Sequence, residues 1–144
     1  MRHVLVAAFF TILLAASMTG AAAAQSGFPD LRGTWKGVSE TIVLGGGNPH
    51  HPPTTGPPEP RSTSIPFTLT IDKQDGRRFS GTFSSARSIE TVIGVLSRAG
   101  TIHMVDDDGY DFGTLLAPNR MELCYRHLSA RARIVSCTEL TKQP

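Results

Sequence analysis

The chain has 144 residues, 14 basic and 12 acidic side chains, a formal net charge of +2 and 40% hydrophobic residues. That length suits one domain with a real core and excludes two. So even a charge balance gives no electrostatic footprint for nucleic acid or an anionic membrane surface.

Arg2 and His3 precede an almost unbroken apolar run over residues 4–16, and Ala22-Ala23-Ala24 offers a cleavage site before Gln25. This is the pattern of an export signal over residues 1–24. The run is about a dozen residues, short of the ~20 that span a bilayer, so no stable membrane insertion is expected after cleavage. The mature domain, residues 25–144, keeps 13 basic and 12 acidic groups and is expected in the periplasm or secreted.

From Trp35 onward the hydrophobic pattern has period two, which predicts strands rather than helices. The first covers residues 34–44. Residues 45–60 follow with six prolines and four glycines, a composition that forbids strand and helix alike and predicts a long loop at one mouth of the fold. Ile65, Phe67, Leu69 and Ile71 then alternate with polar residues. After turn residues at Gln74-Asp75-Gly76-Arg77, the apolar face resumes at Phe79, Gly81 and Phe83. Further strands are expected at 89–97, 100–106, 110–116, 121–128 and 132–140. Asp107-Asp108-Gly109 and Ala117-Pro118-Asn119 supply two of the reversals. The expected fold is all-β, a single antiparallel up-and-down barrel of about eight strands, because closure removes the sheet edges and no long crossover interrupts the hairpins.

Gly33-Thr34-Trp35, on the first strand of such a meander, resembles the Gly-x-Trp signature of the calycins, the lipocalins and avidins. The resemblance implies a barrel whose tryptophan closes one end beneath a basic residue from the last strand, for which Arg131 and Arg133 stand nearby in sequence. Avidins line their biotin site with further tryptophans, and this chain has none after Trp35, so biotin is not expected. The whole chain is also similar to small exported proteins of alphaproteobacterial type, a likeness that implies no particular chemistry.

Cys124 and Cys137 are equidistant from the centre of Ala130-Arg131, so a two-residue turn there sets them opposite one another and predicts a disulfide. In that register Met121, Leu123, Tyr125, Ile134, Ser136, Thr138 and Leu140 face inward. His50 and His51, flanked by prolines, are read as part of an exposed polyproline-like arm rather than a metal site. Asp106-Asp107-Asp108-Gly109-Tyr110-Asp111 has the composition of a calcium loop but lacks its alternating carboxylates and terminal glutamate, and is read as a hairpin turn. No nucleophile elbow, His-Glu-x-x-His pair or phosphate-cradling loop is present, so neither enzyme activity, nor a cofactor, nor a metal site is expected.

Two functions follow. In the first, the barrel binds a small apolar molecule lined by Trp35, Phe67, Phe79, Phe83 and Tyr125. In the second, the interior is filled and the protein binds an envelope protein or inhibits a protease through its surface or its N-terminal arm, residues 25–30. An interior cavity of at least roughly 300 Å³ favours the first, and a smaller one favours the second.

Overall fold

The computed structural model describes residues 27–53 and 59–144. The expected export signal over residues 1–24, residues 25–26 and the stretch 54–58 of the proline-rich loop lie outside them.

Strands run in chain order as β1 (Gly33–Gly45), β2 (Arg61–Thr63), β3 (Pro66–Asp75), β4 (Arg78–Ser84), β5 (Ile89–Leu96), β6 (Ile102–Val105), β7 (Tyr110–Ala117), β8 (Arg120–Leu128) and β9 (Ala132–Lys142). Consecutive strands from β3 to β9 pair antiparallel, and β1 pairs with both β3 and β9, closing the sheet. The short β2, absent from the sequence reading, is the first piece of the β3 strand. Thr41 pairs with Thr63 and Val38 with Pro66 in one continuous register along β1, and Ser39 N–H donates to the Ile65 carbonyl between them. The barrel is therefore eight-stranded, as the spacing of the turns predicts.

Hydrophobic alternation decides which face of each strand turns inward. Leu69, Ile71, Leu96, Ile102, Met121 and Leu140 lie in one buried core with Trp35, which is 0% exposed. These residues gather where β1 and β8 begin and β3 and β9 end, which defines the closed end of the barrel. The Trp35 indole N–H donates to the Leu31 carbonyl at 2.8 Å, and Leu31 is itself buried. Residues 27–32 cross this end. Gln74 holds them by accepting from Leu31 N–H at 2.7 Å and donating to the Pro29 carbonyl at 2.9 Å. The N-terminal segment is docked in this way rather than projecting as a free arm.

The basic residue over the tryptophan is Lys142, whose Nζ stands 5.3 Å from the Trp35 ring centroid. Arg131 and Arg133 lie at the opposite end, beside the β8–β9 turn. The antiparallel register explains this. Trp35 stands near the start of β1 and so meets the end of β9, not its beginning.

The disulfide forms as the hairpin symmetry predicts, with Cys124 and Cys137 paired across β8 and β9 at a Cα separation of 4.0 Å. The inward and outward sets of β8 and β9 follow the expected alternation: Met121, Leu123, Ile134, Ser136, Thr138 and Leu140 are buried, and Val135 is exposed.

Candidate functional site

The open end is formed by the end of β1, the start of β5, the β6–β7 turn and the β8–β9 turn. The segment after β1 folds back over it. Asn48 makes this fold-back, its Oδ1 accepting from the N–H groups of His50 at 3.1 Å and His51 at 2.8 Å while its own N–H donates to the His51 carbonyl. Gly47 lets the turn close, since a Cβ there would stand 1.8 Å from the His51 carbonyl oxygen. His50 and His51 are consequently 4% and 2% exposed. The expectation of an exposed polyproline-like arm is corrected here. The Asn-Pro turn inserts both imidazoles into the barrel mouth, where His50 makes T-shaped contacts with Phe67 and Phe83 and His51 with Phe67.

Beneath this segment lies a cavity of about 20 Å³ lined by His50, His51, Phe67, Phe83, Asp111 and Tyr125, with Asn48, Asp106, Leu123, Ser136 and Thr138 completing the wall. Of the residues expected to line a ligand site, Phe67, Phe83 and Tyr125 meet here. Phe67 and Phe83 stack with centroids 4.6 Å apart. Trp35 belongs instead to the closed end, and Phe79 lies in the core and at the edge of an outer groove over Gly94.

In sequence, Asp106, Asp108 and Asp111 read as parts of a turn segment and His50 as part of an exposed arm, and Glu90 has no assigned role; the fold brings them together at this mouth. His50 Nε2 lies 3.0 Å from Glu90 Oε2 and its Nδ1 lies 2.8 Å from Ser85 Oγ, a pair buried on both sides. Asp106 Oδ1 accepts the N–H groups of Asp108 at 3.2 Å and Gly109 at 2.7 Å, which folds the β6–β7 turn. The Tyr125 hydroxyl donates to Asp108 Oδ1 at 2.6 Å and accepts from Asn48 Nδ2 at 3.3 Å. Gly109 leaves room for the tyrosine ring, which would stand 2.3 Å from a Cβ at that position. Asp111, 3% exposed, points inward from β7, and its Oδ2 has no hydrogen-bond partner, nor has His51 Nδ1.

Removing these groups from water disfavours their charged forms. Burial pushes the Asp111 carboxyl up to about 8, and the neighbouring charges of Asp106 and Glu90 add to it. Burial also raises Glu90, against the opposing pull of His50, and raises Asp106. The Tyr125 phenol is held above its ordinary range by burial first and by its bond to Asp108 second. His51 is pushed down to about 4, chiefly by burial, with the charges of His50 and Arg61 acting the same way and Asp108 opposing them.

The His51 shift has a measurable consequence. A neutral imidazole in the fold binds fewer protons than the unfolded chain between about pH 4 and its ordinary 6.5. Stability from this group is therefore complete above that window and is lost as the pH falls through it, by on the order of 2 kcal/mol. Thermal melts across pH 4 to 7 should show a decline that His51→Gln flattens; equal slopes for the two proteins would contradict the buried neutral imidazole.

Fold and site together define a closed, eight-stranded up-and-down β-barrel, with Trp35 at one end and a chamber lined in part by ionisable groups at the other. No protein-family model matches the chain. No curated protein matches it. Among solved structures the chain is similar to the S-type phycobiliprotein lyase CPES from Guillardia theta, with 10% identity and a TM-score of 0.36 over 79% of this chain and 89% of that one. The expectation of no enzyme activity meets a contrary finding here, since the similar structure is named as a lyase, an activity stated of that protein. Among the described residues no helix is long and apolar enough to cross a membrane.

Proposed function

We propose that the protein is an exported binding barrel whose ligand is small and polar and occupies the open end beneath residues 46–53. One observation carries this reading: His51 and Asp111, which each hold a buried polar atom without a partner (Nδ1 and Oδ2), line a single cavity. Buried polar groups are otherwise paired, and an unpaired one costs about 1 to 3 kcal/mol, so atoms left in this state favour a ligand that satisfies them. Export is supported by the leader pattern of residues 1–24 and by the Cys124–Cys137 disulfide, a bond suited to an oxidising compartment.

The apolar ligand expected from the inward aromatics is not favoured. The chamber of about 20 Å³ is far below the roughly 300 Å³ of a pocket for an organic ligand and is of the size that holds one water or one ion. Carboxylate and imidazole groups share its walls with the phenyl rings.

Native mass spectrometry of protein recovered from its own cell envelope tests both parts. The expected species begins at or near Gln25 and carries one small bound adduct that is lost on acidification. Protein retaining residues 1–24 would overturn export, and a bare chain would overturn ligand binding.

A second reading draws on the outer face. Ile93, Val95, Val105 and Tyr110 border an open groove of about 620 Å³ on β5, β6 and β7, with Ile93 59% and Tyr110 50% exposed. Contiguous apolar surface of this kind suits a protein partner, and the small interior favours the same surface role.

A further inference from the structure

We propose that Glu90, Asp106 and Asp108 bind one hard divalent cation at the mouth of the barrel, beside the buried Asp111. The proposal deepens the reading above by naming the class of ligand.

One carboxylate oxygen from each of Glu90, Asp106 and Asp108 lies within 4.8 Å of the others. Three oxygens that close together can share one ion at about the 2.3 to 2.6 Å of a calcium–oxygen bond. The residues come from two parts of the chain, Glu90 from the start of β5 and the aspartates from the β6–β7 turn, so the cluster is a product of the fold rather than of one acidic run. Asp111 supplies the independent observation. It lines the same cavity as Asp106, is almost wholly buried, and has an oxygen without a partner.

Charge balance points the same way. Among the described residues, no lysine or arginine forms an ion pair with any of the four carboxylates. Their ion-pair partners are His50, for Glu90, and His127, whose Nδ1 stands 3.4 Å from Asp108 Oδ2. Carboxylates held together away from water need a counter-charge, and a divalent cation provides it at this geometry. The surrounding contacts fit such a site. His50 orients Glu90, Tyr125 orients Asp108, and the backbone N–H groups at 108 and 109 fix Asp106 through Oδ1, leaving Oδ2 for the ion. An all-oxygen, carboxylate-rich set selects calcium, magnesium or manganese over softer metals.

The test uses the exported chain, stripped by chelator and titrated with calcium, magnesium and manganese chlorides by calorimetry, with melting temperature followed in parallel. One ion per chain is expected, with a higher melting temperature in at least one of the three salts. Asp106→Asn and Glu90→Gln should each weaken binding at least tenfold, whereas Asp107→Asn, at an exposed position of the same turn, should leave it within twofold. Terbium supplies a readout that does not depend on the acidic variants folding. Excitation of tyrosine should sensitise bound terbium, and Tyr125→Phe should reduce that emission severalfold. Absence of stoichiometric binding by all three metals would overturn the proposal, as would binding that survives Asp106→Asn and Glu90→Gln but falls with Asp107→Asn. An organic adduct in native mass spectrometry, found with no cation uptake by the stripped chain, would overturn the cation assignment and leave the ligand-binding reading standing.

Discussion

Trp35→Ala is expected to destabilise the protein by about 3 to 5 kcal/mol, the range for removing a buried large aromatic from a core. The indole is fully buried at the closed end and shares a cluster with Leu31, Leu69 and Leu140. Its loss also removes the donor to the Leu31 carbonyl, which anchors residues 27–32 across the barrel end. Those residues should loosen with it. Urea denaturation followed by circular dichroism measures the first effect, and amide exchange at Leu31 and Arg32 the second. Phe28→Ala is the comparison, because Phe28 is 44% exposed, with the Arg77 guanidinium 5.7 Å from its ring centroid. A Trp35→Ala midpoint close to that of Phe28→Ala would contradict the closed-end core.

Removing the disulfide as Cys124→Ala with Cys137→Ala should cost about 3 kcal/mol, the loop-closure value for a cross-link spanning about 14 residues. For a domain of this size that lowers the melting temperature by on the order of 10 °C. Both cysteines are half-buried and on the outward side of β8 and β9, so little packing is lost with them. The effect should therefore match that of reducing the native protein. A variant that melts with the native protein under oxidising conditions would show that the bond is not formed in solution.

The open end differs from the closed end in how its residues are recruited. At the closed end each buried residue follows the alternation of its own strand. At the mouth, the ionisable groups come from the segment after β1, from β5, from the β6–β7 turn and from β8, separated along the chain by tens of residues. Each on its own has an ordinary explanation. Asp106 closes a turn, Tyr125 is an inward aromatic, and His50 belongs to a proline-rich stretch.

β5 shows why local pattern was insufficient there. Its residues Ile89, Glu90, Thr91, Val92, Ile93, Gly94, Val95 and Leu96 are apolar on both faces, so alternation alone does not choose a side. In the structure Glu90 and Val92 point inward while Ile89 and Ile93 face solvent. The choice is made by β4, whose Phe83 pairs with Glu90, and by His50 arriving from the loop. The Asn48-Pro49 dipeptide did carry a signal. Asparagine before proline favours a side-chain-capped turn, and this turn is what carries the two histidines inward.

Sequence by itself determined the strands, their turns, the eight-stranded closure, the burial of Trp35 and the Cys124–Cys137 pairing, because period-two alternation and hairpin symmetry act over a few residues at a time. Only the tertiary structure decided which basic residue covers the tryptophan, that the histidine pair is buried, and that four carboxylates converge at the mouth. These depend on strand direction and barrel closure, which bring distant residues to one rim at separations that no local pattern encodes. The shifted proton affinities of His51, Glu90, Asp106 and Asp111 follow from that shared, water-poor position rather than from residue type.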